Sequence, residues 1–175
     1  LSKMGIRSTF VDLDDMESLL AVLDKKDVTL FYADSPTNPL LKCVDIRLVA
    51  ELCHRKGALV CIDSPLASPI NQKPLTLGAD IVVHSATKYM AGHHDVIAGC
   101  VSGSEALISK IRAWHYDLGG AISPVRVHLN MRIIEYNPVD FPKKCCTDLH
   151  SEIMQNAAYM IIRGLKTMAL RVEAH

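Results

Sequence analysis

No run of this 175-residue chain stays apolar for more than a few residues, which excludes a transmembrane helix. Charge of one sign is lacking too: 19 basic side chains cancel 19 acidic ones. That balance leaves no field to favour nucleic acid or an anionic membrane surface. Near the N-terminus a charged residue interrupts every apolar stretch, so nothing there reads as a secretory signal. The chain opens on Leu1 rather than a methionine, which leaves room for an upstream portion carrying a targeting segment. Its six cysteines contain no C-x-x-C pair. Four of them lie among helix- or strand-like apolar residues, the pattern of buried free thiols in a reducing compartment. His93, His94, Cys145 and Cys146 are the zinc ligands on offer. They come as adjacent pairs without a chelating gap, so no metal is expected.

What remains is an ordinary globular composition, 49% apolar and 22% charged, long enough for one domain with a sizeable core. Met16, Leu19, Leu20 and Leu23 recur at helical spacing behind Asp12 and Asp14, which serve as N-caps. Ile46, Val49, Ala50 and Cys53 repeat that spacing, and Gly57 ends the second helix. Leu107, Ile111, Trp114 and Leu118 mark one face of a third, capped by Ser104 and closed by Gly119-Gly120. Short apolar runs at Val28–Ala33, Ala58–Ile62, Ile81–Val83 and Val96–Val101 read as strands. Short strands alternating with amphipathic helices predict a three-layer α/β fold around a mostly parallel sheet covered on both faces.

In such a sheet ligands bind beyond the carboxyl ends of the strands. The residues at those ends are Asp34 to Pro39, Asp63, and His84-Ser85-Ala86-Thr87-Lys88. A carboxylate, two hydroxyls and a lysine would thus converge on one rim. Ser85 and Thr87 could donate to a phosphate while Lys88 reaches an aldehyde carbon, helped by partial burial that lowers an amine's pKa. Asp63 could keep a pyridine nitrogen protonated, which makes the ring an electron sink. A solvated lysine and a turn aspartate are the bland alternatives for each residue alone. Their shared position at strand ends favours the chemical reading.

Asp34-Ser35-Pro36-Thr37-Asn38-Pro39, Val60-Cys61-Ile62-Asp63, Ser85-Ala86-Thr87-Lys88-Tyr89 and Gly92-His93-His94-Asp95-Val96 resemble the Cys/Met-metabolism family of pyridoxal-phosphate (PLP) enzymes. The resemblance continues through Gly119-Gly120 and resumes from Asn156 through Arg163-Gly164-Leu165-Lys166-Thr167. Within that family, Cys53-His54-Arg55-Lys56-Gly57 and Asn71-Gln72-Lys73-Pro74-Leu75 are most similar to the plant cystathionine γ-synthases.

The resemblance implies a fold-type I large domain, incomplete here. It implies PLP as cofactor, carried by Lys88, with Asp63 on the ring nitrogen, Ser85 and Thr87 on the phosphate, and Asn38 near the ring hydroxyl. The implied reaction is γ-replacement, joining cysteine to an activated homoserine ester in methionine biosynthesis. Cystathionine or methionine lyase activity is the alternative within the family, and a non-catalytic product that only folds or associates is the alternative outside it. Small amino-acid substrates, a homo-oligomer with a shared site, and a plastid address (cytoplasmic if not plant-like) follow from the same resemblance. Three departures stand out. Asp34 replaces a glutamate, and Pro65 and Leu66 replace a threonine and an aromatic. The family's upstream phosphate loop and its C-terminal domain lie outside this sequence.

Residues 1–124 therefore read as the PLP-binding core and residues 156–175 as the end of that large domain. Between them, 125–155 has no sustained period, a Cys145-Cys146 pair and breaks at Pro138 and Pro142. A binding loop is one reading. Translated intron sequence is the favoured one, because every valine codon begins with splice-donor bases and a glutamine codon can supply a splice acceptor. Long structureless insertions in compact domains are uncommon.

Overall fold

The computed structural model describes residues 2–25, 27–118 and 155–175. The expected 125–155 insertion lies outside the described residues except for its last residue, Gln155, which opens a helix.

Among the described residues four strands form one sheet in the order β1 (Leu30–Asp34), β2 (Leu59–Asp63), β3 (Ile81–Ser85), β4 (Gly99–Gly103). The first three are parallel and β4 is antiparallel to β3. Among the described residues there are six α-helices: α1 (Met16–Lys25), α2 (Ile46–Arg55), the short α3 (Ser68–Asn71), α4 (Glu105–Leu118), α5 (Gln155–Leu165) and α6 (Met168–Glu173). The α/β fold with a mostly parallel sheet is the one the sequence predicts. Each parallel strand runs to the polar residue the sequence puts just beyond it, so Asp34, Asp63 and Ser85 end their strands rather than follow them.

The core explains the helices. Ile46, Val49, Ala50 and Cys53 of α2 are buried, and they pack with Leu19 and Leu23 of α1 against Ala33, Val60 and Ile62. Val49, Val60 and Ile62 are almost fully excluded from water. Burial of side chains of that size stabilises by roughly 1.5–3 kcal/mol each. Asp45 starts α2 by accepting from the Leu48 amide at 3.1 Å. A second cluster joins Ala86, Met90, Ala91, Val96, Ala98 and Cys100 to Ile161 of α5.

Two local expectations are corrected. Asp15, not Asp12 or Asp14, caps α1: its carboxylate accepts from the Ser18 amide at 2.9 Å and the Ser18 hydroxyl at 2.5 Å. Those bonds hold the Asp15 carboxyl below its usual range. Asp14 instead pairs with Lys42. On α4, Trp114 and Leu118 are mostly exposed while Ile108 is buried, so the buried side runs one position over from the expected stripe. Cys53 and Cys61 are buried free thiols, Cys100 is buried as well, and Cys43 is exposed. Burial pushes Cys53 and Cys61 up to about 11, so both remain protonated at neutral pH.

Candidate active site

Side chains alternate across a sheet, so strand register decides which groups share a face. Asp34 is paired with Asp63, Asp63 with Val83, and Ser85 lies two residues beyond Val83. Asp34, Asp63 and Ser85 therefore sit on one face, at the carboxyl end of the parallel strands. The opposite face carries Ala33, Ile62 and Val82 into the core. One face builds the domain and the other presents polar groups.

Asp63 is the centre of that polar end. Its Oδ2 accepts from the Tyr32 hydroxyl at 2.9 Å, a diagonal contact across β1 and β2. Its Oδ1 is buried and has no hydrogen-bond partner among the described residues. A buried carboxylate oxygen without a donor costs about 1–3 kcal/mol or more. Such an oxygen suits a protonated ring nitrogen, so the residues present fit the expected PLP. Burial, then the bond to Asp63 and its charge, pushes the Tyr32 phenol well above its usual range, so it stays a donor. Asp34 is also raised, by burial first and by the neighbouring Asp63 charge second.

The two strand-end loops are tied together. Ser35 N donates to Asp63 O at 2.9 Å, and Ser64 N to Val83 O at 2.9 Å. Gln72 Nε2 donates to Ser35 O at 2.7 Å and to Ser64 Oγ at 3.0 Å. Ser35 and Ser64 are wholly buried, so this amide joins the loop leading to Asn38 to the one leaving Asp63. Asn38 itself is exposed on the first loop.

Lys88 lies one turn beyond Ser85, its amide donating to Ser85 O at 3.0 Å. The turn is compact: Ala91 N reaches Ala86 O at 2.9 Å and Gly92 N reaches Lys88 O at 2.7 Å. Lys88 is exposed, so the partial burial expected for it is not supplied by the described residues. The Thr87 hydroxyl donates to Ala98 O at 3.3 Å and accepts from Ala98 N at 2.9 Å. A phosphate bound there would have to draw its donor away from Ala98. Ser85 is half-buried on the polar face.

Sequence reasoning missed Tyr32 and Gln72. An aromatic in a strand reads as packing, yet its alternation with Asp34 on the Asp63 face was a usable signal. Gln72 carried no local signal, because its partners lie eight and 37 positions away. Of the four residues weighed as zinc ligands, His93 bonds Ala91 O through Nδ1 at 2.7 Å, and Cys145 and Cys146 lie outside the described residues. No helix among the described residues is long and apolar enough to cross a membrane.

Comparison with known proteins bears on the same residues. The profile of the Cys/Met metabolism PLP-dependent enzyme family matches residues 1–136. Tobacco (Nicotiana tabacum) chloroplastic cystathionine gamma-synthase 1 is 49% identical over 99% of this chain, which covers 26% of the tobacco protein. Cystathionine gamma-lyase of Bacillus subtilis is 34% identical over 99% of the chain, which covers 38% of it. Among solved structures, a methionine gamma lyase from Micromonospora echinospora superposes with a TM-score of 0.73 at 30% identity. That match covers 97% of this chain and 38% of the lyase. The chain thus spans about a quarter to two fifths of these relatives.

Proposed function

Because the chain belongs to the Cys/Met metabolism family of PLP-dependent enzymes, we propose that it is part of a cystathionine γ-synthase-like enzyme joining cysteine to an activated homoserine ester. The observation that carries the cofactor assignment is Asp63 Oδ1, buried on the polar face of the sheet with no donor among the described residues. The γ-synthase assignment rests on 49% identity to the tobacco synthase against 34% to the bacillary lyase. By that likeness the ester is a phosphate, O-phosphohomoserine, and the protein is plastid-located.

When bound, PLP supplies an aldehyde that condenses with amines and a ring that draws electrons from the substrate. Lys88 would carry it and then move protons between substrate carbons through Nζ. Asp63 Oδ1 would hold the proton on the ring nitrogen, with Tyr32 fixing the other oxygen. Ser85 and Thr87 would bind the phosphate, and Asn38 would orient the ring hydroxyl. The net chemistry balances: the cysteine sulfur bonds to the γ-carbon, the ester group leaves with its electron pair, and the thiol proton is released. Small amino acids are the substrates, and the assembled enzyme is a homo-oligomer with a site shared between subunits.

Residues 125–155 we assign to retained intron sequence between the 1–124 core and 156–175. Transcripts that consistently lack these codons support that origin, and an uninterrupted exon in every transcript refutes it.

Borohydride reduction of the PLP-loaded full-length protein, followed by peptide mapping, tests the cofactor assignment. The expected label is on Lys88, and Lys88→Ala removes it. A label on Lys73, or on any other lysine, overturns the assignment. Supplying O-phosphohomoserine with cysteine should yield cystathionine. Breakdown of cystathionine or methionine instead identifies a lyase.

A further inference from the structure

The turn carrying Lys88 is gripped by the last two helices of the chain. Arg171, on α6, donates from Nη2 to Tyr89 O at 2.9 Å and to Gly164 O at 2.7 Å. Its Nε donates to Thr167 Oγ1 at 3.1 Å, which fixes the plane of the guanidinium. That group fills the space beside Gly92, where an added Cβ would fall 2.1 Å from Arg171 Nη1. Gly92 also has φ +76°, a conformation suited to glycine. Gly164, on α5, lies against the same turn, its missing Cβ position 2.2 Å from Ala91 O. Arg163 reaches Asp95 at 2.6 Å a few residues on. Thr87 is also tied to Ala98 by the two hydroxyl bonds already described.

We propose that Arg171 is a positioning residue for Lys88: by pinning Tyr89 O and seating Gly92, it fixes where the lysine turn stands above the sheet. This deepens the reading of Lys88 as the cofactor lysine and rests on it. The physical reason is local. The bond from Gly92 N to Lys88 O closes the turn, so whatever seats Gly92 also seats the Lys88 peptide. Lys88 is exposed and gains no such restraint from its own side chain among the described contacts. Misplacing a reacting group by an ångström can cost about 100-fold in rate, so the restraint matters to chemistry. A methionine at 171 keeps the apolar stem and loses every donor. A lysine keeps a charge that can reach one or both carbonyls but not the fixed plane.

The test uses the full-length protein, with and without PLP, as Arg171→Met, Arg171→Lys and Gly92→Ala. Amide hydrogen exchange across residues 88–92 should quicken about tenfold or more in Arg171→Met, less in Arg171→Lys, while β1 and β2 amides are unchanged. In the loaded protein, the pH titration of the visible absorption should move in the same order. Gly92→Ala displaces the guanidinium without removing it, and should match Arg171→Met without adding to it. That variant carries the test if Arg171→Met does not fold.

Unchanged exchange in both variants overturns the proposal. Faster exchange with an unmoved titration also overturns it, since Arg171 would then be a brace with no bearing on Lys88. If the unaltered protein takes no borohydride label at Lys88, the cofactor reading fails, and the exchange data decide the grip on the turn by themselves.

Discussion

The hydroxyl of Tyr32 and the carboxylate of Asp63 meet at 2.9 Å across two parallel strands, which occupies one carboxylate oxygen and leaves the other buried with no partner among the described residues. The arrangement makes Tyr32 the aiming device and Asp63 the charge. Tyr32→Phe should therefore weaken PLP binding modestly. A hydrogen bond to a charged group is worth about 1.5–3 kcal/mol. Tyr32 is 55% exposed, so solvent screening leaves about 1 kcal/mol, roughly fivefold in affinity. Asp63→Asn should bind with a similar penalty yet lose about 100-fold or more in turnover, because an amide cannot hold the ring proton. Absorbance titration and steady-state rates separate the two. Equal losses of turnover in both variants would remove the division of labour.

Gln72→Ala should destabilise the chain by about 1–3 kcal/mol, the cost of leaving the buried Ser64 hydroxyl and Ser35 carbonyl without their donor. Gln72→Glu should be no better, since a carboxylate cannot donate to either. Urea unfolding should show a lower midpoint with an unchanged slope. A glutamate variant as stable as the parent would show that the amide donor is dispensable.

At Gly164, alanine is the better helix former by up to about 1 kcal/mol. Sterics outweigh this. The new Cβ would lie 2.2 Å from Ala91 O and 2.4 Å from Met90 O, both backbone atoms. Either α5 lifts or the lysine turn shifts, at a net cost of about 1–3 kcal/mol. Calorimetry of Gly164→Ala checks it, and a melting temperature at or above the parent's contradicts the close approach.

His84 gives the chain a pH dependence. Burial holds its imidazole below the ordinary 6.5, against smaller opposing effects of the Ser64 backbone and the Asp63 charge. The unfolded chain therefore takes up this proton first. Stability is fully present above pH 6.5 and declines as pH falls from there towards the folded value, by at most about 1.4 kcal/mol per pH unit. Urea midpoints at about pH 7.5 and about pH 5.5 should differ more in the parent than in His84→Gln. An identical pH response in both would assign the effect to other groups.

The strands and first two helices were legible because burial writes itself into spacing: Ile46, Val49, Ala50 and Cys53 are apolar at helical intervals and are buried. The polar rim was legible for a related reason, since Asp63 and Ser85 interrupt apolar runs at strand ends. The antiparallel direction of β4 was not, because apolar runs carry no sign of direction. Nor was the exposure of Trp114 and Leu118, which depends on what packs over α4 rather than on its own period. The contacts of Gln72 and Arg171 were invisible for want of locality. A hydrogen bond spanning 82 residues leaves no mark on either neighbourhood.

That span bears on how the protein is made. Arg171 meets the lysine turn across 82 residues of this chain and Arg163 meets Asp95, just beyond that turn, across 68, so during synthesis both arrive well after Lys88. A ribosome that has just released β4 would hold a lysine turn without the contacts that α5 and α6 add to it. The grip closes only once the final helices clear the exit tunnel. The order of synthesis thus makes the placing of Lys88 a late event, set by residues translated well after the sheet that carries it.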